Sequence, residues 1–118
     1  MCRGDVGMTH KGSCHCGAIT VTIQDDPVEA SECNCLICRR TGALWAYAAP
    51  DRVTVAGEGV GYVHGDRKLA LFYCPTCSVI THWSAVDPNY DRMGINLRLF
   101  DPGLWEALSH QFIDGASW

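Results

Sequence analysis

The chain has 118 residues, 47% of them apolar and 19% charged, the composition of a folded globule long enough to bury one core and too apolar for a disordered chain. Nine Lys and Arg against thirteen Asp and Glu leave a net charge of −4, with basic residues adjacent only at Arg39-Arg40 and Arg67-Lys68, so no nucleic-acid partner is expected. No apolar run approaches the ~20 residues that span a bilayer, so no membrane-spanning segment is expected either.

Residues 1–11 carry Gly4, Gly7 and mixed polar residues without periodicity and read as a loose leader. A single domain is expected over residues 12–118, with Gly12 opening it. The first 17 residues hold no apolar stretch long enough for a signal peptide, which places the protein in a reducing compartment, the cytoplasm. Ile19, Val21 and Ile23 alternate with Thr20, Thr22 and Gln24, a period of two rich in β-branched residues, and predict a strand with one buried face. Between Cys35 and Gly42 the stretch Leu-Ile-Cys-Arg-Arg-Thr carries the one good helical signal, a short helix stopped by Gly42 in the left-handed conformation. Residues 44–49, 53–56, 60–64, 68–73 and 79–84 are short, bounded by Gly, Pro or Asp, and predict further strands. Met93, Ile95, Leu97 and Leu99 alternate with Gly94, Asn96 and Arg98, which predicts a half-buried strand closed by Pro102. Residues 104–109 fit either a helical turn or a strand. Many short strands with almost no 3.6 periodicity predict an all-β domain of small antiparallel sheets with one short helix.

Eight cysteines are the abnormal number, and in a reducing compartment they favour metal over disulfides. Seven fall into three groups: Cys14 and Cys16, then Cys33, Cys35 and Cys38, then Cys74 and Cys77. Cys74-Pro75-Thr76-Cys77 has the turn residues that let two thiolates reach one tetrahedral ion, and Cys-x-Cys on extended backbone points both thiols to one side. Closed structural zinc sites use four ligands, so seven cysteines divide most economically into one complete and one incomplete site. The triplet can hold an ion by itself and is the incomplete one; the two pairs then staple the ends of the domain. A triplet closed by a histidine or an acid is the alternative, and an iron–sulfur cluster is a minor one because its usual spacings differ. Cys2 has no partner spacing and reads as a spare thiol. His15 should point away from the metal its neighbours share, His10 and His110 read as surface positions, and His64 and His82 as hydrogen-bonded strand residues.

Three ordered motifs, Gly12-Ser13-Cys14-His15-Cys16-Gly17-Ala18-Ile19, Cys33-Asn34-Cys35-Leu36-Ile37-Cys38-Arg39-Arg40 and Phe72-Tyr73-Cys74-Pro75-Thr76-Cys77, resemble the glutathione-dependent formaldehyde-activating enzyme family, which includes the centromere protein V domain. The resemblance covers roughly residues 12–101. It implies a zinc-stapled β-tent fold, shared with a Rab-interacting zinc protein, and two zinc ions per chain. In that pattern Cys14, Cys16, Cys74 and Cys77 hold the structural ion, and Cys33, Cys35 and Cys38 hold the ion assigned to catalysis. Two positions depart from the family pattern: Asn34 where His is usual, which bears on hydrogen bonding around the ligands, and Ser78 where Gly is usual, which bears on the turn after the knuckle.

An open three-thiolate zinc would bind a small thiol as thiolate, and its formal charge of −1 favours thiolate delivery over carbonyl polarisation. Attack on a small aldehyde would give a hemithioacetal, and the reverse path is a carbon–sulfur lyase reaction; glutathione and formaldehyde are the partners the resemblance implies. Arg39 and Arg40 offer forks for the carboxylates of such a thiol, or are solvated helix-end charges. Trp45 and Tyr47 would line the same rim if the short helix packs over the following strand. The alternative is a non-enzymatic zinc module that binds a protein through an exposed aromatic surface of Trp83, Trp105 and Trp118.

Overall fold

A computed structural model of the chain describes residues 9–35, 37–63 and 67–114. Among the described residues ten strands form two sheets: β1 (His10–Ser13), β2 (Thr20–Ile23), β3 (Glu29–Cys33), β4 (Trp45–Ala48), β5 (Val53–Ala56), β6 (Val60–Val63), β7 (Leu69–Tyr73), β8 (Ile80–Ala85), β9 (Met93–Asn96) and β10 (Ser109–Ile113). One sheet runs β1-β2-β5, the other β10-β3-β4-β9-β8-β7-β6. The protein is all-β with two single-turn α-helices, α1 (Cys38–Thr41) and α2 (Pro102–Trp105), and neither sheet closes into a barrel. None of the described helices is long and apolar enough to cross a membrane.

The alternation in residues 19–24 is realised as read: Ile19, Val21 and Ile23 are buried, and β2 lies between β1 and β5. Val21 and Ile23 cluster with Ala46 and Ile95 of the larger sheet and with Leu44 and Leu97, which flank its strands β4 and β9, so the main core sits between the two sheets. Burial of such side chains is worth roughly 1.5–3 kcal/mol each and is the main cohesion of that layer. Helix α1 stops where expected, with Gly42 at φ 70° and its amide donating to the Cys38 carbonyl.

Four readings need correction. The first strand starts at His10, paired with Ile23, two residues before Gly12; residues 1–8 of the expected leader, with Cys2, lie outside the described residues. The strand over residues 93–99 ends at Asn96, and Leu97–Leu99 form a 3-10 turn. The Asn96 carboxamide oxygen accepts the amides of Leu44 and Arg98, which fixes the turn and breaks the alternation. Its four residues are buried on both faces, because β9 lies between β4 and β8. The sheets are also less uniform than expected, since β10 runs parallel to β3 over Ser109–Ile113. Residues 104–109 run from the end of α2, capped by the Asp101 carboxylate, through a turn at 106–108 to the first residue of β10.

Gly94 is where glycine is required for packing. A Cβ there would lie 2.0 Å from the Trp83 indole nitrogen and 2.5 Å from its ring carbons, deep inside van der Waals contact. Gly94→Ala is therefore expected to displace the indole and cost about 2 kcal/mol, read as a lower melting temperature. An unchanged melt would mean that Trp83 is free to move away.

Candidate functional site

Both cysteine clusters assemble at strand ends. Cys14 follows β1 and its amide donates to the Ile19 carbonyl, closing a tight turn with Gly17 at φ 82°. Cys74 follows β7 and makes the same contact with Val79 across the Pro75-Thr76 turn, with the Ser78 amide donating to the Cys74 carbonyl at 2.8 Å. Ser78 keeps the left-handed conformation, φ 69°, that glycine would adopt freely. The departure from the family pattern therefore leaves the turn's shape intact, at a cost of about 1–2 kcal/mol. The two turns meet, and the sulfurs of Cys14, Cys16, Cys74 and Cys77 all lie within 4.8 Å of one another.

Their spacing tests whether a metal fits. Four ligands at about 2.3 Å from a tetrahedral ion lie about 3.8 Å apart. Cys14 to Cys16 is 3.8 Å and Cys16 to Cys74 is 3.6 Å, so the set fits such an ion. Backbone amides face the sulfurs: Ile19 donates to Cys14 at 3.3 Å and Thr76 to Cys74 at 3.4 Å. The amides of Cys16 and Val79 draw the Cys77 thiol down to about 6, and those of Cys77 and Thr76 hold Cys74 below its ordinary range despite burial. The Ala18 amide lowers Cys16 as well, but the Cys74 thiol, burial and the Cys14 thiol outweigh it and push that thiol up to about 11, so the amides favour the thiolate, the form a metal takes, at Cys74 and Cys77.

The second cluster comes from the end of β3 and the start of α1. The sulfurs of Cys33, Cys35 and Cys38 also lie within 4.8 Å of one another, and among the described residues no His, Asp or Glu joins them. The Cys38 amide donates to the Cys35 sulfur at 3.4 Å as the helix turns over it. Burial pushes Cys35 up, but the amides of Cys38 and Ile37 and the neighbouring thiols outweigh it and leave that thiol below its ordinary value. Burial, with Cys35 beside it, pushes Cys38 up to about 12. The alternative of a histidine or acid closing the triplet finds no support among the described residues.

These three sulfurs differ from the other four in what lies beside them. A cleft of about 370 Å³ opens next to the triad, walled by Trp45, Tyr47, Leu71 and Trp83, with Tyr90 and Arg92 at its rim. Trp45 and Tyr47 thus flank the triad, but not on one rim with Arg39 and Arg40, as the sequence reading had it. The Trp45 side chain is 1% exposed and its indole N–H has no hydrogen-bond partner within bonding geometry. That N–H faces the Cys38 sulfur and favours its thiolate. Arg39 lines a separate groove of about 210 Å³ with Cys33, Cys38, Glu32, Arg98 and Asn34, while Arg40 lines neither hollow. Asn34 donates from its carboxamide to Asp114 at 2.9 Å, tying the triad's loop to the end of β10.

The cation of the cleft is Arg92, whose guanidinium sits 4.3 Å above the Tyr47 ring. Sequence reading missed it because no spacing links it to the cysteines. Only the pairing of Tyr47 with Gly94 across β4 and β9 brings residue 92 alongside. A larger hollow of about 440 Å³ shares Tyr47 and Arg92 with the cleft, but it is lined by Asp26, Glu29 and Asp91 and by no cysteine.

The histidines behave as bland residues. His15 is exposed, His10 pairs with Asp26 at 2.7 Å, His110 faces Glu32 at 3.5 Å, and His64 lies outside the described residues. His82 is buried, stacked on Phe72 at 4.7 Å and bonded through Nδ1 to the Thr81 hydroxyl. Burial holds it neutral, with its pKa lowered to about 4. Since an unfolded histidine titrates near 6.5, its effect is absent above that pH and grows as pH falls toward 4, where the unfolded chain binds the extra proton. Folding stability should drop by about 2–3 kcal/mol over that window, and His82→Gln should remove this part of the slope. Urea melts of both proteins at pH 7.5 and 5 check it; parallel losses would contradict the assignment.

The family pattern described as glutathione-dependent formaldehyde-activating enzyme matches residues 9–114. A protein of Halomonas elongata, named provisionally as a glutathione-dependent formaldehyde-activating enzyme, is 28% identical over 111 residues. That match covers 89% of this chain, and the chain spans 64% of the relative's length. A crystal structure of a Rhodobacter sphaeroides protein superposes with a TM-score of 0.70 at 28% identity, covering 86% of this chain and 99% of that one. With most of its length inside the family pattern, the chain belongs to the glutathione-dependent formaldehyde-activating enzyme family.

Proposed function

We propose that Cys14, Cys16, Cys74 and Cys77 hold a closed structural zinc, that Cys33, Cys35 and Cys38 hold an open one, and that the chain adds a small thiol reversibly to a small aldehyde there. The observation that carries this reading is the triad of sulfurs beside an accessible cleft, with no fourth ligand among the described residues. Zinc at the triad would supply a soft cationic seat on which a thiol loses its proton well below its free pKa of about 8.5.

The chain's own residues then position the reactants. Arg39 and Arg98 converge on the groove beside Cys33 and Cys38, where guanidinium forks suit the carboxylates of a glutathione-like thiol, and Arg40 adds charge one residue on. Trp45 presents its buried N–H next to the Cys38 sulfur, and the aromatic walls keep water from the reacting carbon. The thiol sulfur forms a bond to the carbonyl carbon, the π pair moves to oxygen, and that oxygen takes up the proton the thiol released, giving a hemithioacetal. The reverse is the carbon–sulfur lyase direction. Glutathione and formaldehyde, named in the family description, are the first pair to try. We place the protein in the cytoplasm, where a reducing environment would keep the cysteines of both clusters available to a metal.

The non-enzymatic alternative required an exposed aromatic surface. Trp83 is half-buried in the cleft, Trp105 is half-buried and bonded to the Phe100 carbonyl, and Trp118 lies outside the described residues. Titrating cobalt-substituted protein with glutathione separates the two readings. Thiol delivery predicts altered sulfur-to-cobalt charge-transfer bands that Cys38→Ser loses; unchanged bands in the parent protein mean a closed module.

A further inference from the structure

We propose that the aldehyde partner at the triad is an apolar, aromatic one that carries a single carboxylate, bound by the ring surfaces of the cleft and by Arg92; this rests on the thiol-delivery reading above. The cleft is built for something larger and more apolar than formaldehyde. Formaldehyde has two heavy atoms, whereas about 370 Å³ is within the range of pockets that hold drug-sized ligands.

The chemistry of the walls narrows the occupant. Trp45, Tyr47, Leu71 and Trp83 come from β4, β8 and β7 of one sheet, with β9 between β4 and β8, so their spacing is fixed by the sheet rather than by a loop. Tyr47 and Trp83 lie with ring centroids 6.1 Å apart at 55°, a tilted pair that offers one face and one edge to a guest ring. Among the described residues no Asp, Glu or Lys lines the cleft. Among the described residues its single cation is Arg92, which stacks on Tyr47 and has no carboxylate paired with it. One guanidinium at the rim of an aromatic slot matches one carboxylate on an apolar body.

The same layout separates the two reactants. The groove with Arg39 and Arg98 and the aromatic cleft both include Cys33 and Cys38, so the triad stands between a polar hollow and an apolar one. A polar peptide thiol has its partners in the first, and the carbonyl compound has its partners in the second. Their reaction, thiol plus aldehyde giving a hemithioacetal, forms one carbon–sulfur bond, breaks the C=O π bond and passes the thiol proton to oxygen.

The test uses zinc-loaded full-length protein and unreactive analogues, with quenching of the cleft tryptophans as the readout. We expect 3-phenylpropionate to bind more than tenfold tighter than propionate, from burial of the ring, and about fivefold tighter than 3-phenylpropanol, from the pair with Arg92. Arg92→Gln should erase the preference over the alcohol and leave 3-phenylpropanol binding unchanged, and Arg92→Lys should restore part of it. Equal binding of propionate and 3-phenylpropionate, or an Arg92→Gln protein that keeps the carboxylate preference, overturns the proposal. Because these analogues carry no thiol, their result is independent of the glutathione titration. A cleft that binds them while the cobalt bands ignore glutathione also overturns the proposal, through the loss of the thiol reading on which it stands.

Discussion

Cys77→Ser is expected to yield insoluble or unfolded protein, whereas Cys38→Ser is expected to fold. The four-cysteine cluster joins the β1–β2 turn of the smaller sheet to the β7–β8 turn of the larger one. Around it the buried apolar group is only Cys14, Ile19 and Cys74, far smaller than the core between the sheets. On the proposed reading, a metal would replace packing at that end of the molecule. A structural zinc contributes on the order of 10 kcal/mol, comparable with the ~5–15 kcal/mol net stability of a whole domain. The triad is differently supported: it sits on β3, which β10 covers along five residue pairs, and beside the apolar group of Ala43, Trp45 and Leu71. Soluble yield and thermal melts of the two variants check the asymmetry. Equal damage in both would reclassify the triad as structural.

Thiol affinity at the triad is expected to rise about tenfold per pH unit below the thiol's own pKa of about 8.5, then level off above it. The sign follows from proton release: the metal takes the deprotonated sulfur, so each proton lost on binding makes binding tighter as pH rises. Between pH 6 and 8 this amounts to about a hundredfold, and Cys38→Ser should abolish it by removing a ligand. Calorimetry in buffers of different ionisation heat measures the released proton directly. A pH-independent affinity would mean that the thiol binds elsewhere, with its proton kept.

How much of this was legible in the sequence varied with the range of the interaction. Ile19, Val21 and Ile23 announced β2 because the period-two signal is local and one face of the strand is buried. The cysteine partition was equally legible, since ligand spacing within each turn is a local property and counting in fours did the rest. Strands β1, β3 and β10 were not: Glu29-Ala-Ser-Glu-Cys33 contains no β-branched residue and becomes a strand through its partners on either side. The error at Leu97 has a similar cause, because continued alternation hid a carboxamide, Asn96, that bonds the backbone and turns the chain. Arg92 shows the limit most plainly. It lies 54 residues beyond Cys38 in sequence and reaches the same cleft only through the order β3-β4-β9.

The most direct measurement of the central claim is the metal content of the intact chain, by native mass spectrometry after reconstitution with zinc under reducing conditions. Two clusters predict two zinc ions on the parent protein and one on Cys38→Ser, with the remaining ion resistant to mild chelation. A parent protein that takes up a single zinc ion, or a Cys38→Ser protein that still holds two, would contradict the division into a closed four-cysteine site and an open three-cysteine one.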